Sequence, residues 1–269
     1  MQGQDSSLTS CGWRHFDFAG LLSRLCPPLR PSPGDVENLR RAISAGGKRI
    51  LLLGVTPELS ILGADLTAVD NDQRMIDHIW PGDRAGRRAL LADWTDLPFP
   101  SESFDAVIGD ASPNAAAEQV DEVIAEARRV LAPGGTAAFR LFCSPEQGET
   151  LEFIRDDVAA GWLGNFHALK WRIAMVLAGK EPRGIVPVGE ILAAFNRLFP
   201  DRGALAAFTN WPPEDIATID AYVGAEHSLG FPRLSAMREL IGRHFSAVSV
   251  IEAENYPLAE RCPTVVCRR

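Results

Sequence analysis

The sequence predicts an α/β fold built on a doubly wound, mostly parallel sheet. Two observations carry this. Four short apolar runs, at 49–54, 66–70, 89–93 and 104–110, each end in a glycine or an aspartate. They lack the alternation of half-exposed strands, as strands buried on both faces do. The stretches between them are long enough for crossover connections, and the one after 110 carries helical periodicity.

The elements follow in order. In the leader, Trp13, Phe16, Phe18, Leu21, Leu22 and Leu25 suggest a short amphipathic helix. The proline-rich stretch 26–33 breaks it, because proline disallows helix continuation. Asp35 is expected to cap a second helix that ends at Gly46-Gly47. After the fourth strand a helix is expected over 117–131, with Val120, Val123, Ile124, Ala127, Val130 and Leu131 on one face. Pro133-Gly134-Gly135 should stop it, and 136–142 is the fifth strand. Residues 144–231 read as helices, with one stripe at Phe166, Leu169, Ile173, Val176 and Leu177. A second stripe runs through Ile191, Leu192, Phe195, Leu198 and Phe199. A last helix over 234–245 precedes strands at 247–253 and 263–268. Three parts result: an N-terminal helical segment (1–47), an α/β core (48–143 and 232–269) and a helical lid insertion (144–231).

Composition narrows the classes. With 269 residues, 46% of them hydrophobic and 23% charged, the chain is globular and not disordered. No apolar run reaches 18 residues, so no membrane span is expected. The first ten residues lack the basic start and apolar core of a secretory signal, which makes a cytoplasmic location the expectation. The net charge is −8, and the basic clusters are only pairs and triplets such as Arg87-Arg88, so no nucleic-acid partner is expected. Five scattered cysteines form no CxxC pair and read as reduced thiols. No two histidines stand at a ligand spacing such as HxxxH, and no metal is expected.

In an open sheet of this kind, ligands bind beyond the carboxyl ends of the strands. Gly54, Asp70, Asp93 and Asp110 would therefore line one crevice. Each aspartate has an alternative reading as a helix cap or turn residue. Together with Ile50-Leu-Leu-Leu-Gly54, Ala68-Val-Asp70, Leu91-Ala-Asp93-Trp94 and Arg129-Val-Leu-Ala-Pro133-Gly134-Gly135, the order resembles the class I S-adenosylmethionine-dependent methyltransferases. The resemblance covers 48–143 and 232–269. It implies a Rossmann-like sheet with an antiparallel final strand, and S-adenosyl-L-methionine as cofactor. By that resemblance Gly54 lets the backbone pass close to the cofactor, and Asp70 accepts the ribose hydroxyls. Asp93 sits beside the adenine amino group, Trp94 stacks on the ring, and Asp110 faces the sulfonium or the substrate.

The first motif departs from the family. An acid usually stands two residues before a glycine-rich turn; here that place is Leu52, and Gly54-Val55-Thr56-Pro57-Glu58 holds one glycine. Leu-Gly-Val-Thr-Pro-Glu, with Pro-Leu-Arg-Pro-Ser at 28–32, resembles one bacterial branch of the superfamily. In that variant Glu58 would replace the missing acid near the methionine ammonium. Arg30 would pair with the methionine carboxylate, whose geometry suits a planar guanidinium. The plainer readings are a helix-start glutamate and a surface arginine.

Catalytic candidates are Asp110, His15 and His167, with His227 behind them. Histidine titrates near neutral pH and suits a general base, although a structural histidine is the commoner case. Methyl transfer also needs little beyond alignment. Residues 144–231 hold 10 of the 21 aromatics and a net charge of −5. This points to a small apolar or aromatic acceptor, methylated at oxygen or nitrogen, and away from a phosphate-rich one. The competing reading is that the aromatics simply pack a helical subdomain. A nicotinamide dehydrogenase is disfavoured, since its G-x-G-x-x-G turn is absent. A non-catalytic S-adenosylmethionine-binding or scaffold protein remains the alternative, and the helical segments leave room for a homodimer interface.

Overall fold

A computed structural model describes residues 20, 24–44, 48–181 and 183–269. The helix expected in the leader, with His15, lies almost wholly outside them. The core begins with α1 (Pro33–Ile43), β1 (Arg49–Leu53), β2 (Asp65–Asp70), α2 (Gln73–Ile79), β3 (Arg87–Leu91) and β4 (Phe104–Asp110). A short α3 (Ser112–Ala115), α4 (Val120–Val130) and β5 (Leu131–Arg140) follow. The insertion holds α5 (Leu151–Ala159), α6 (Phe166–Ala178), β6 (Ile185–Pro187), α7 (Val188–Leu198), α8 (Arg202–Thr209), α9 (Pro213–Ala217) and β7 (Ser228–Gly230). Then α10 (Leu234–Gly242), β8 (Ala247–Ile251) and β9 (Thr264–Arg268) close the chain.

The main sheet has seven strands in the order β3-β2-β1-β4-β5-β9-β8. The first five run parallel; β9 is antiparallel to β5 and to β8. Alternation along β1 serves two cores. Ile50 and Leu52 face the side covered by α1 and α2, with Leu39, Ile43, Leu66, Ile79 and Ile108. Leu51 and Leu53 face the side covered by α4 and α10, with Val69, Val107, Ile124, Met237 and Ile241. A strand covered on both faces reads as a continuous apolar run, which is why β1 was legible.

Several boundaries differ from expectation. Asp35 caps α1 from the third helical position and is not its N-cap residue. Ser32 is the N-cap: its Oγ accepts the Asp35 N–H at 3.1 Å, and Asp35 Oδ2 accepts the Ser32 N–H at 2.8 Å. This reciprocal box satisfies two otherwise orphaned donors, and Pro33 supplies a first-turn residue with none to satisfy. Strand β5 starts at Leu131, not 136. Phe104 opposes Leu131 and Ala106 opposes Thr136, so Pro133-Gly134-Gly135 forms an irregularity inside the strand. Strand β3 starts at Arg87, two residues early, because an edge strand admits arginines that a buried one would reject.

The insertion is mostly helical, but β6 and β7 pair as an antiparallel ribbon that the sequence did not reveal. Its own core gathers Ile154, Phe166, Leu169, Ile173, Phe195, Ile219 and Tyr222. Phe166, Trp171, Phe195, Tyr222 and Phe231 are buried there, as the packing reading of the aromatics has it, while Phe153, Trp162 and Phe208 are exposed. Among the described residues no helix is long and apolar enough to cross a membrane.

Candidate functional site

The parallel strands β1, β2, β3 and β4 end side by side, and this alone assembles most of the expected residues. Gly54 follows β1 with φ +100°, a conformation that costs glycine little and other residues more. Its N–H donates to Val69 O at 2.8 Å. The Trp94 indole Nε1–H donates to the same carbonyl at 2.7 Å, so its ring lies beside Gly54 at the end of β2. Asp70, only 7% exposed, accepts the Asp72 N–H at 3.0 Å. Burial lifts its pKa to about 6, against the pull of the Asp72 N–H. Asp93 is exposed past β3. Its Oδ1 accepts from Thr95 N and Thr95 Oγ1, both at 2.8 Å, so it acts as a turn residue with that oxygen.

A second cluster lies at the end of β4. Asp110 Oδ1 is 2.6 Å from Arg140 Nε, on the neighbouring strand. Arg140 is fully buried; its Nη1 and Nη2 donate to Pro28 O at 3.0 Å, and Asp35 Oδ2 is 3.9 Å away. The Tyr256 hydroxyl donates to Asp35 Oδ1 at 3.2 Å. Burial pushes the Asp110 carboxyl above its ordinary pKa, with the Arg140 guanidinium opposing it. Arg30 and Glu58, expected at opposite ends of a ligand, are also partners: Nη2 and Oε1 stand 2.6 Å apart. Glu58 Oε2 is buried and has no hydrogen-bond partner among the described residues. The Ser112 Oγ–H donates to Leu53 O at 2.6 Å and ties α3 to the end of β1.

The histidines fall elsewhere. His15 lies outside the described residues. His167, on α6, places Nε2 3.1 Å from Arg24 O. A carbonyl only accepts, so Nε2 carries the proton and Nδ1 keeps a lone pair. Nδ1 is buried without a hydrogen-bond partner, and burial drives the ring pKa down to about 4, so it is neutral at pH 7. Burial lowers His227 as well.

The structure thus joins Gly54 and Trp94 at the carbonyl of Val69, the residue before Asp70, and Arg30 with Glu58. Asp93 stays at the rim, and Asp110 is engaged by a residue that sequence reasoning missed. One signal could have found Arg140: it is the lone charge in the otherwise apolar run Ala137-Ala-Phe-Arg-Leu-Phe142. A charge in a buried strand requires a partner. Asp35 and Tyr256 had no such signal, since they reach the site from distant parts of the chain.

Residues 54–139 match the family model of the methyltransferase domain. A comparison with curated proteins found no match. Among solved structures, an S-adenosylmethionine-dependent methyltransferase from Mesorhizobium loti is 16% identical, with 87% of this chain and 96% of that one covered and a TM-score of 0.50. A SAM-dependent methyltransferase from Methanosarcina mazei is 16% identical over 89% and 98% of the chains, at 0.49. A protein from Rhodobacter sphaeroides described as a Zn-dependent alcohol dehydrogenase is 15% identical over 93% and 95%, at 0.54. At such identities the likeness shows the fold alone. The domain match is what bears on chemistry, and the turn Gly54-Val55-Thr56-Pro57 lacks the glycines of a nicotinamide site. A methyltransferase domain thus spans the end of β1 to β5.

Proposed function

We propose that the enzyme methylates a small apolar or aromatic acceptor, at oxygen or nitrogen, beneath the helical insertion. The observation that carries this is where the insertion docks. Asn114, four residues past Asp110, donates through Nδ2 to Gly230 O at 2.6 Å and to Phe142 O at 2.8 Å. The strand leaving the insertion therefore lies against the mouth of the crevice beyond β4.

The residues present fit the cofactor. Glu58 Oε2 is a buried acceptor without a partner, as a site for the methionine ammonium requires. Asp70 is a buried carboxylate with a raised pKa, and a ribose diol would satisfy it with two hydroxyl donors. Trp94, held by its Nε1–H, offers a fixed ring to the adenine, and Asp93 a carboxylate to the amino group. Arg30, which pairs with Glu58, would bind the methionine carboxylate.

When bound, S-adenosylmethionine supplies a methyl group on a sulfonium, already a strong electrophile. Orientation of the acceptor then does most of what remains. Asp110 is held by Arg140 and serves to shape the site more than to carry a proton. The insertion acts as a lid that excludes water from the pocket.

The test is methyl transfer from isotope-labelled S-adenosylmethionine to panels of aromatic alcohols, amines and acids, set beside RNA, DNA and protein. Label on a small molecule supports the reading. Label appearing only on a macromolecule overturns it.

A further inference from the structure

Helix α6 is buried on all sides except at Leu177, yet one face of it is polar. His167, Lys170 and Trp171 stand at positions i, i+3 and i+4 and so share that face. His167 Nδ1 and Trp171 Nε1 are both buried without a hydrogen-bond partner. Lys170 is 4% exposed, and no described residue gives it a hydrogen bond or ion pair. Its Nζ lies 5.3 Å from the Trp171 ring and 5.2 Å from the Tyr222 ring. Native proteins pair nearly all buried polar groups. Two orphans beside a buried lysine, on a turn and a half of one helix, are an exception that folding alone does not explain.

The face also borders the crevice. The Trp171 ring meets the Phe142 ring at 5.3 Å, and Phe142 lies under the Arg140 guanidinium at 5.0 Å. Arg140 in turn holds Asp110. The polar face is thus linked to the end of β4 through Phe142 and Arg140.

Resting on the reading of the enzyme as a small-molecule methyltransferase, we propose that this face recognises the acceptor, and that the acceptor is a small aromatic acid with a single carboxylate. Lys170 Nζ and the Trp171 Nε1–H donate to the carboxylate oxygens. The rings of Trp171, Tyr222 and Phe142 hold the apolar body. One buried ammonium matches one negative charge; a polyanion would meet a segment of net charge −5 around it. The ammonium lies by two aromatic rings, and burial brings its pKa to about 7. An arriving carboxylate would restore its charge and satisfy the orphaned indole at once.

The probes are 4-hydroxybenzoate and its neutral methyl ester, titrated calorimetrically into the enzyme with S-adenosylhomocysteine present. The acid is expected to bind at least tenfold more tightly than the ester. Lys170→Met should erase that difference and leave S-adenosylmethionine affinity unchanged. Trp171→Phe, which keeps a ring and removes the donor, should weaken the acid several-fold and serves as the second variant if the first misfolds. Equal binding of acid and ester, absence of acid binding at millimolar concentration, or an acid preference that survives both changes overturns the proposal. Methyl transfer to a neutral small molecule, unaffected by Lys170→Met, would overturn it while leaving the broader function standing.

Discussion

Arg140 Nε sits 2.6 Å from Asp110 Oδ1, with the arginine side chain fully buried and the aspartate side chain 7% exposed. The guanidinium also binds Pro28 O and faces Asp35, so one side chain joins β5 to β4, to the loop before α1 and to α1 itself. Arg140→Met would strand two buried carboxylates. A loss of about 3–5 kcal/mol is expected in urea unfolding. Adding Asp110→Asn should recover part of it, because the two sites are coupled. Additive losses would show that the pair does not act as a unit.

Asp70→Asn should separate stability from binding. The folded pKa, about 6, exceeds the unfolded value of 3.8, so the folded state holds its proton more tightly. Stability is then greatest below pH 4, declines between pH 4 and 6, and stays reduced above. At pH 7.5 the variant is expected to be more stable than the parent, by no more than about 3 kcal/mol. That advantage should vanish at pH 4. Its S-adenosylmethionine affinity should fall at least tenfold, since each lost charge-assisted hydrogen bond is worth roughly 1.5–3 kcal/mol. Unchanged affinity in calorimetry would remove Asp70 from the ribose site.

Glu58→Gln should weaken S-adenosylmethionine more than it weakens the fold. The Arg30–Glu58 pair is partly exposed, and such pairs contribute about 0–1 kcal/mol. The melting temperature should therefore shift little while affinity drops about tenfold, the loss of one charge-assisted contact. A lower melting temperature with intact affinity would mark Glu58 as a structural helix-start residue.

Lys170 should leave a signature in the pH dependence of stability. Its folded pKa, about 7, lies below the unfolded 10.5, so the unfolded chain binds more protons between these values. Stability should rise across that window in the parent relative to Lys170→Met. At pH 7 the variant should be the more stable of the two. Parallel stability curves from pH 7 to 10 would contradict this.

Limited proteolysis tests the lid. S-adenosylmethionine with an acceptor should slow cleavage within 144–231 more than S-adenosylmethionine alone, because a lid closes only over both. Identical cleavage in all three states would make the insertion a fixed subdomain.

Apolar runs such as Ile50–Leu53 were legible because a strand buried on both faces must be hydrophobic along its whole length. The aspartates at the strand ends were legible for a related reason: parallel strands place their carboxyl ends together, so residue order alone brings Gly54, Asp70 and Asp110 to one edge. Ser32 and Asp35 could have been read as a capping box, since that signal is local. The ribbon of Ile185–Pro187 with Ser228–Gly230 could not, because strands this short take their pairing from tertiary context. Nor could the partner of Asp110. Arg140 is 30 residues away, and Asp35 and Tyr256, linked by a hydrogen bond, are 221 apart. Pairing across such separations is decided by how sheet and helices stack. The polar face of α6 shows the same division: residues 167, 170 and 171 share a face by helical period alone. That the His167 and Trp171 nitrogens lie buried without partners, beside a buried Lys170, follows only from the helices packed around them.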